Sequence, residues 1–139
     1  MVTDRCTTAG LLCYLILIYP QFCLLFQLLI SLDMSSHYMH MYSSLSSGSS
    51  SHKSIAKTAN PILRLYYTSK IVLFLVCCFN EFFFVLLLAK SVNSNALVDV
   101  GLILSFPICF FKQFVNVIQL VNASKHLAEL DQKEKMSKK

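Results

Sequence analysis

The chain has 139 residues, of which 55% are hydrophobic and only 14% charged, and its mean hydropathy is +0.60. These values lie outside the usual range of soluble globular domains and place the chain in a membrane. Eleven phenylalanines, gathered mostly in long apolar runs, favour helices over a β-barrel with alternating faces. The net charge of +5 does not indicate a nucleic-acid partner, because the basic residues border apolar runs and are not interleaved with a soluble fold.

The first apolar region is interrupted by Pro20, which predicts two helices rather than one kinked helix. The first predicted span is 5–19, and the second is 22–42. The second is long enough to cross because polar residues at i, i+4 and i+7 extend one helical face: Asp33, His37 and His40. Charged groups are costly in hydrocarbon, so this face has to avoid the lipid. It is either the wall of a buried site or a polar helix end at the level of the headgroups.

The rest of the chain alternates polar loops with two further apolar spans. Residues 43–70 form a predicted cytosolic loop, which is rich in serine at its start. The next spans are 71–89 and 100–121, and the polar residues inside them are expected to face other helices. Residues 123–139 form a charged cytosolic tail. The predicted fold is therefore an all-α, polytopic transmembrane helix bundle, with 1–122 as its membrane domain.

Lysine and arginine are distributed unequally between the two predicted sides. All but two of the twelve fall on the side of the long loop and the tail, while Lys90 falls on the other side and Lys112 within a span. The positive-inside rule assigns the richer side to the cytosol. Cations there would meet anionic headgroups or a phosphate-bearing substrate. The tyrosine-rich, basic stretch 60–70 fits either interfacial anchoring or binding of an anionic ligand.

Five stretches carry a resemblance: TDRC at 3–6, SLDMSSHYMHMYSS at 31–44, SHK at 51–53, NPILRLYYTSK at 60–70 and FNEFF at 79–83. Together they resemble the eukaryotic phosphatidylinositol synthases, within the CDP-alcohol phosphatidyltransferase family. The resemblance covers nearly the whole chain, and NPILRLYYTSK is its most specific part. It implies a six-span membrane fold, of which this chain would hold about four spans.

The signature of that family is DxxDGxxAR, a gap, and then GxxxDxxxD. The resemblance implies aspartates that hold divalent metal ions, Mg²⁺ or Mn²⁺, against the pyrophosphate of CDP-diacylglycerol. The last of them is also the general base for the incoming hydroxyl. Asp4 matches that last aspartate, and the preceding one would stand directly before Met1. Because the rest of the signature is absent, we expect an N-terminally truncated chain with weak or no activity.

The activity that the resemblance implies is transfer of the phosphatidyl group from CDP-diacylglycerol to myo-inositol, which releases CMP. It also implies a location in the endoplasmic reticulum membrane with the site facing the cytosol. The family is often dimeric, so the resemblance is compatible with a homodimer, but the sequence does not determine the oligomeric state. Two alternatives stay open: a non-catalytic structural or regulatory membrane protein, and a related transferase that uses another alcohol, such as glycerol phosphate or choline.

The predicted site contains one catalytic residue and several substrate contacts. Asp4 is the implied base and metal ligand. The candidates for contact with phosphate, substrate or inositol hydroxyls are Lys53, Arg64, Lys70, Asp33 and His37. For the lysines and the arginine the alternative role is anchoring at the headgroups. For Asp33 and His37 it is pairing between helices.

Overall fold

The computed structural model describes residues 2–46, 70–93 and 95–137, and every regular element in these ranges is helical. The prediction of an all-α fold is confirmed. Four α-helices occur there: α1 is Val2–Ile18, α2 is Cys23–Ser46, α3 is Lys70–Val92 and α4 is Ala96–Ser137. Most of the predicted cytosolic loop falls at 47–69, outside the described residues.

The junction of α1 and α2 is a short 3-10 turn, Pro20–Phe22. Tyr19 leaves the helical conformation, with φ −121° and ψ 68°, and its amide still bonds to the Leu15 carbonyl at 2.8 Å. Proline lacks an N–H group and can only begin a new helical segment at this point. The structure therefore has two helices here, as the sequence predicts.

The interior of the bundle is more polar than its surface. Among the described residues, ten polar or charged residues are buried but only seven apolar ones, whereas many large apolar side chains are exposed. A soluble domain shows the reverse distribution. The apolar core joins all four helices through five side chains: Leu12, Leu15, Phe26, Phe84 and Cys109. Helix α4 packs against both α2 and α3, and α1 packs against the same two helices.

Two helical segments in the described ranges are long and apolar enough to cross a membrane, Ile71–Val92 and Ala96–Lys133. The apolar part of α1, Arg5–Ile18, is shorter. Length and composition thus mark two candidate spans, where the sequence predicts four.

Helix α4 is longer than a bilayer requires. Its 42 residues extend over about 63 Å, about twice the thickness of a hydrocarbon core. It runs through Pro107 and continues without interruption past Val121, where the sequence predicts the end of a span. The charged segment after Val121 is therefore a helical extension of α4 as far as Ser137.

Candidate functional site

The centre of the buried polar region is the carboxylate of Asp33 on α2. The Nη1 atom of Arg5, on α1, lies 3.0 Å from its Oδ1 and 3.1 Å from its Oδ2. Asp33 is 8% exposed and Arg5 is 6% exposed. A buried charge is tolerated when an opposite charge and hydrogen bonds compensate it. This pair joins the first turns of α1 to the middle of α2.

Helix α4 adds two further donors to the same carboxylate. The Nδ2 atom of Asn116 donates to Asp33 Oδ1 at 3.1 Å, and the Nζ atom of Lys112 lies 3.5 Å from that oxygen. Lys112 also donates to the Asn116 side-chain oxygen at 2.6 Å. The asparagine amide therefore has its nitrogen toward the carboxylate and its oxygen toward the ammonium group, which suits both partners.

The network continues from α4 to α3 through side-chain amides. Asn116 Nδ2 lies 3.4 Å from Gln113 Oε1, and Gln113 Nε2 donates to Asn80 Oδ1 at 3.1 Å. The thiol of Cys109 contacts the same Asn80 oxygen at 3.4 Å. We call the set of Arg5, Asp33, Lys112, Asn116, Gln113 and Asn80 the polar network. It links all four helices.

His37 lies one turn after Asp33, and its ring is hydrogen-bonded to the backbone carbonyl of Asp33. The Nδ1 atom of His37 is 2.8 Å from the Asp33 carbonyl oxygen and 3.6 Å from Asp33 Oδ1. Because a carbonyl can only accept, Nδ1 carries the proton, and the Nε2 atom of the neutral ring is an acceptor. The side chain is 20% exposed. His37 can therefore offer Nε2 to a hydroxyl donor.

A second interhelical contact lies near the polar network. The hydroxyl of Thr8, on α1, donates to Glu81 Oε1, on α3, at 2.6 Å. Thr8 is one turn after Arg5, so α1 is attached to α2 and α3 through neighbouring turns. The glutamate inside the predicted span thus faces another helix, as the sequence predicts.

The structure brings together two of the predicted site residues, Asp33 and His37. Asp4 lies in the first turn of α1, but its side chain is outside the described residues, as is that of Lys70 at the start of α3. Lys53 and Arg64 fall within 47–69 and are outside them as well. The predicted roles of these four residues stay predictions.

The two cations that contact Asp33 were not among the predicted site residues. The sequence identifies Arg5 only as a basic residue next to Asp4, because its partner Asp33 is 28 positions away. Lys112 had a stronger signal, because a lysine inside an apolar helix needs a partner on another helix. Its 2% exposure agrees with that requirement.

The described residues do not fit a divalent metal ion. They contain no group of three or more His, Cys, Asp or Glu side chains that could hold one. The carboxylate oxygens of Asp33 already accept from a guanidinium, an ammonium and an amide N–H group. These donors occupy the positions from which the oxygens would coordinate a metal ion. We therefore derive no metal-dependent step from these residues.

The comparisons with known proteins decide the family. The chain is 51% identical over 134 residues to the CDP-diacylglycerol–inositol 3-phosphatidyltransferase of Saccharomyces cerevisiae, covering 96% of this chain and 61% of that protein. It is 44% identical over 145 positions to the enzyme of the same name from Rattus norvegicus, covering 100% of this chain and 68% of the relative. The chain belongs to the CDP-diacylglycerol–inositol 3-phosphatidyltransferase family.

The coverage of these relatives is partial. The match to the Candida albicans member is 50% identical and spans 94% of this chain, but only 57% of the relative. The chain thus spans about six tenths of the length of the two yeast relatives. No family model and no solved structure matches the chain.

Proposed function

We propose that this chain takes part in phosphatidylinositol synthesis, the transfer of the phosphatidyl group of CDP-diacylglycerol to myo-inositol. In this reaction an inositol oxygen bonds to the phosphatidyl phosphorus, the bond from that phosphorus to CMP breaks, and CMP leaves. The observation that carries the proposal is the 51% identity to the S. cerevisiae transferase over 96% of the chain. The buried polar network supports it, because such networks in apolar helices are costly without a function.

In this proposal Asp4 accepts the proton of the attacking hydroxyl. It is the one residue of this sequence that matches the family signature. A divalent ion, Mg²⁺ or Mn²⁺, would supply positive charge to offset that of the pyrophosphate. Asp4 would be its ligand in this chain, and the other aspartates of the signature are absent from this sequence.

Four of the five other predicted site residues are proposed as substrate contacts. Lys53, Arg64 and Lys70 are suited to the phosphates of CDP-diacylglycerol, since charge-assisted hydrogen bonds to phosphate are strong. His37 is suited to an inositol hydroxyl, because its Nδ1 atom is used by the Asp33 carbonyl and its Nε2 atom is an acceptor.

The proposal includes the setting of the chain in the membrane. In it, α1 and α2 cross the bilayer together with the two apolar segments, as four spans of a six-span fold. Their polar side chains are compatible with this, because they pair with one another inside the bundle. The proposed location is the endoplasmic reticulum, with the site toward the cytosol, and the proposal is compatible with a homodimer.

The test measures which labelled alcohol is incorporated into lipid by membranes that contain the chain. The full 139-residue chain is produced in cells without their own inositol transferase, alone and joined to the part of the S. cerevisiae relative that the match does not cover. Membranes receive CDP-diacylglycerol with labelled inositol, glycerol 3-phosphate or choline in parallel. We expect the joined chain to incorporate inositol alone. Incorporation of another alcohol would favour the related-transferase alternative, and no incorporation in either form would favour the non-catalytic one.

A further inference from the structure

The carboxylate of Asp33 is almost fully used by protein donors. Both of its oxygens accept from Arg5 Nη1, and Oδ1 also contacts Asn116 Nδ2 and Lys112 Nζ. Each carboxylate oxygen offers about two lone-pair positions, so Oδ1 has none left and Oδ2 has about one. Because Asp33 is only 8% exposed, that position has little access to a substrate hydroxyl.

The partner that Asp33 holds most closely is next to the proposed catalytic residue. Arg5 directly follows Asp4 in the first turns of α1. A helix is stiff over one turn because successive backbone hydrogen bonds fix its dihedral angles. When the Arg5 guanidinium is fixed against α2, the backbone of Asp4 is fixed with it.

We propose that Asp33 is a positioning residue that holds the first turns of α1 through Arg5. In this role it sets the place from which Asp4 meets the attacking hydroxyl, and it does not itself contact inositol. Lys112 and Asn116 complete the arrangement by holding Asp33 from α4. This inference rests on the proposed function.

The two roles of Asp33 predict different kinetics. A contact to inositol contributes to binding, so that its loss raises the KM for inositol. A positioning residue acts on the alignment of the reacting groups, and misplacement by about 1 Å can lower the rate about 100-fold. For Asp33→Asn in the joined chain we expect kcat to fall about 10- to 100-fold, with the KM for either substrate changed by less than about twofold.

The chain offers a matched control at the other end of α1. The hydroxyl of Tyr19 donates to the Leu87 carbonyl on α3 at 3.2 Å, far along the helix from Asp4. Tyr19 directly follows α1, so Tyr19→Phe removes a hydrogen bond between the end of α1 and α3 but leaves the first turns of α1 attached. We expect wild-type kcat and KM for this variant, even where its thermal stability falls.

A second pair of variants keeps the test decisive if Asp33→Asn does not accumulate in the membrane. Arg5→Lys keeps the charge opposite Asp33, whereas Arg5→Gln removes it. We expect kcat to fall about 10- to 100-fold in Arg5→Gln and to fall less in Arg5→Lys, because lysine keeps the charge but not the planar donor group of arginine. The amount of each variant in the membrane is measured by immunoblotting, so that rates are compared per molecule.

The outcomes separate this inference from the proposed function. Wild-type kcat in Asp33→Asn or in Arg5→Gln would overturn the positioning role while the proposed function stands. A raised KM for inositol with unchanged kcat in Asp33→Asn would assign Asp33 to substrate binding instead. A joined wild-type chain that incorporates no inositol would overturn the proposed function, and the positioning role with it.

Discussion

Asn116 bridges two of the buried charges through its side-chain amide. Its side chain is 1% exposed and stands between the Lys112 ammonium group and the Asp33 carboxylate. For Asn116→Ala we expect the free energy of unfolding to fall by about 1–3 kcal/mol, because both charged groups lose a buried partner. The measurement is SDS-induced unfolding in micelles, followed by circular dichroism.

The matched control for Asn116 is on the same helix. The Ser124 hydroxyl is exposed and bonds to the Leu120 carbonyl of its own helix. Ser124→Ala should leave the free energy of unfolding within about 0.5 kcal/mol of the wild type. Equal stability of Asn116→Ala and the wild type would mean that the polar network is not formed as described.

Phe84 is the largest fully buried side chain of the apolar core. Its ring packs edge-on against Phe83, at a centroid distance of 5.6 Å. Phe84→Ala should cost about 3–5 kcal/mol of unfolding free energy, since it leaves a cavity. Phe74 on the same helix is 69% exposed, and Phe74→Ala is the control. In the same SDS titration, similar losses for the two variants would contradict the packing of α3.

For single residues, the sequence identifies the unusual ones but not their partners. Asp33 and Lys112 can be singled out because charges are rare in apolar helices. Their contact joins residues 79 positions apart, and helical periodicity carries no information over that distance. The Arg5 side chain likewise counts as a surface cation in a charge-based topology, whereas the structure buries it against Asp33.

Gly101 marks the place where α3 and α4 approach most tightly at a glycine. A Cβ atom there would lie 2.9 Å from Leu86 Cδ1, whereas one at Gly10 would meet nothing within 4 Å. Gly101→Leu should lower the free energy of unfolding by about 1–3 kcal/mol, because the added side chain overpacks the contact with Leu86. Gly10→Leu should not lower it, because leucine has the higher helix propensity. Equal effects of the two substitutions, measured by SDS titration, would contradict this helix contact.

The elements themselves are largely predictable, because their causes are local. Pro20 separates α1 from α2 by removing a hydrogen-bond donor, and no tertiary contact is needed for that. The end of α4 is different. The apolar residues stop near Val121, but the charged residues after it are good helix formers, so that the helix continues to Ser137. Hydropathy marks the end of an apolar segment and not the end of a helix.

For the whole molecule, the positive-inside rule predicts that the α3–α4 turn and the C-terminal part of α4 lie on opposite sides of the membrane. Asn93 lies in that turn and Lys135 near the end of α4, and both are exposed. In a chain whose six cysteines are replaced by alanine, Lys135→Cys should react with an impermeant maleimide from the cytosolic side. Asn93→Cys should react only after permeabilisation. Labelling of both from one side would contradict the four-span arrangement.

The family of the molecule is predictable from short stretches that the whole-chain comparisons then support. The arrangement of its site is not, because it depends on which faces of four helices meet. The stretch around Asp33 indicates that polar groups face inward. It does not indicate that the carboxylate is met by donors from α1 and α4 together, which is the feature that makes Asp33 a positioning residue in our proposal.

The most direct test of the account is the effect of Asp4→Asn on CDP-diacylglycerol-dependent incorporation of labelled inositol by the joined chain. Thr7→Ala is the control, because Thr7 is exposed, lies in the same part of α1 and bonds only to the Thr3 carbonyl among the contacts described for it. We predict a loss of at least about 100-fold for Asp4→Asn and wild-type rates for Thr7→Ala. Rates for Asp4→Asn within about twofold of the wild type would contradict the role of Asp4 as the base, and with it the central claim.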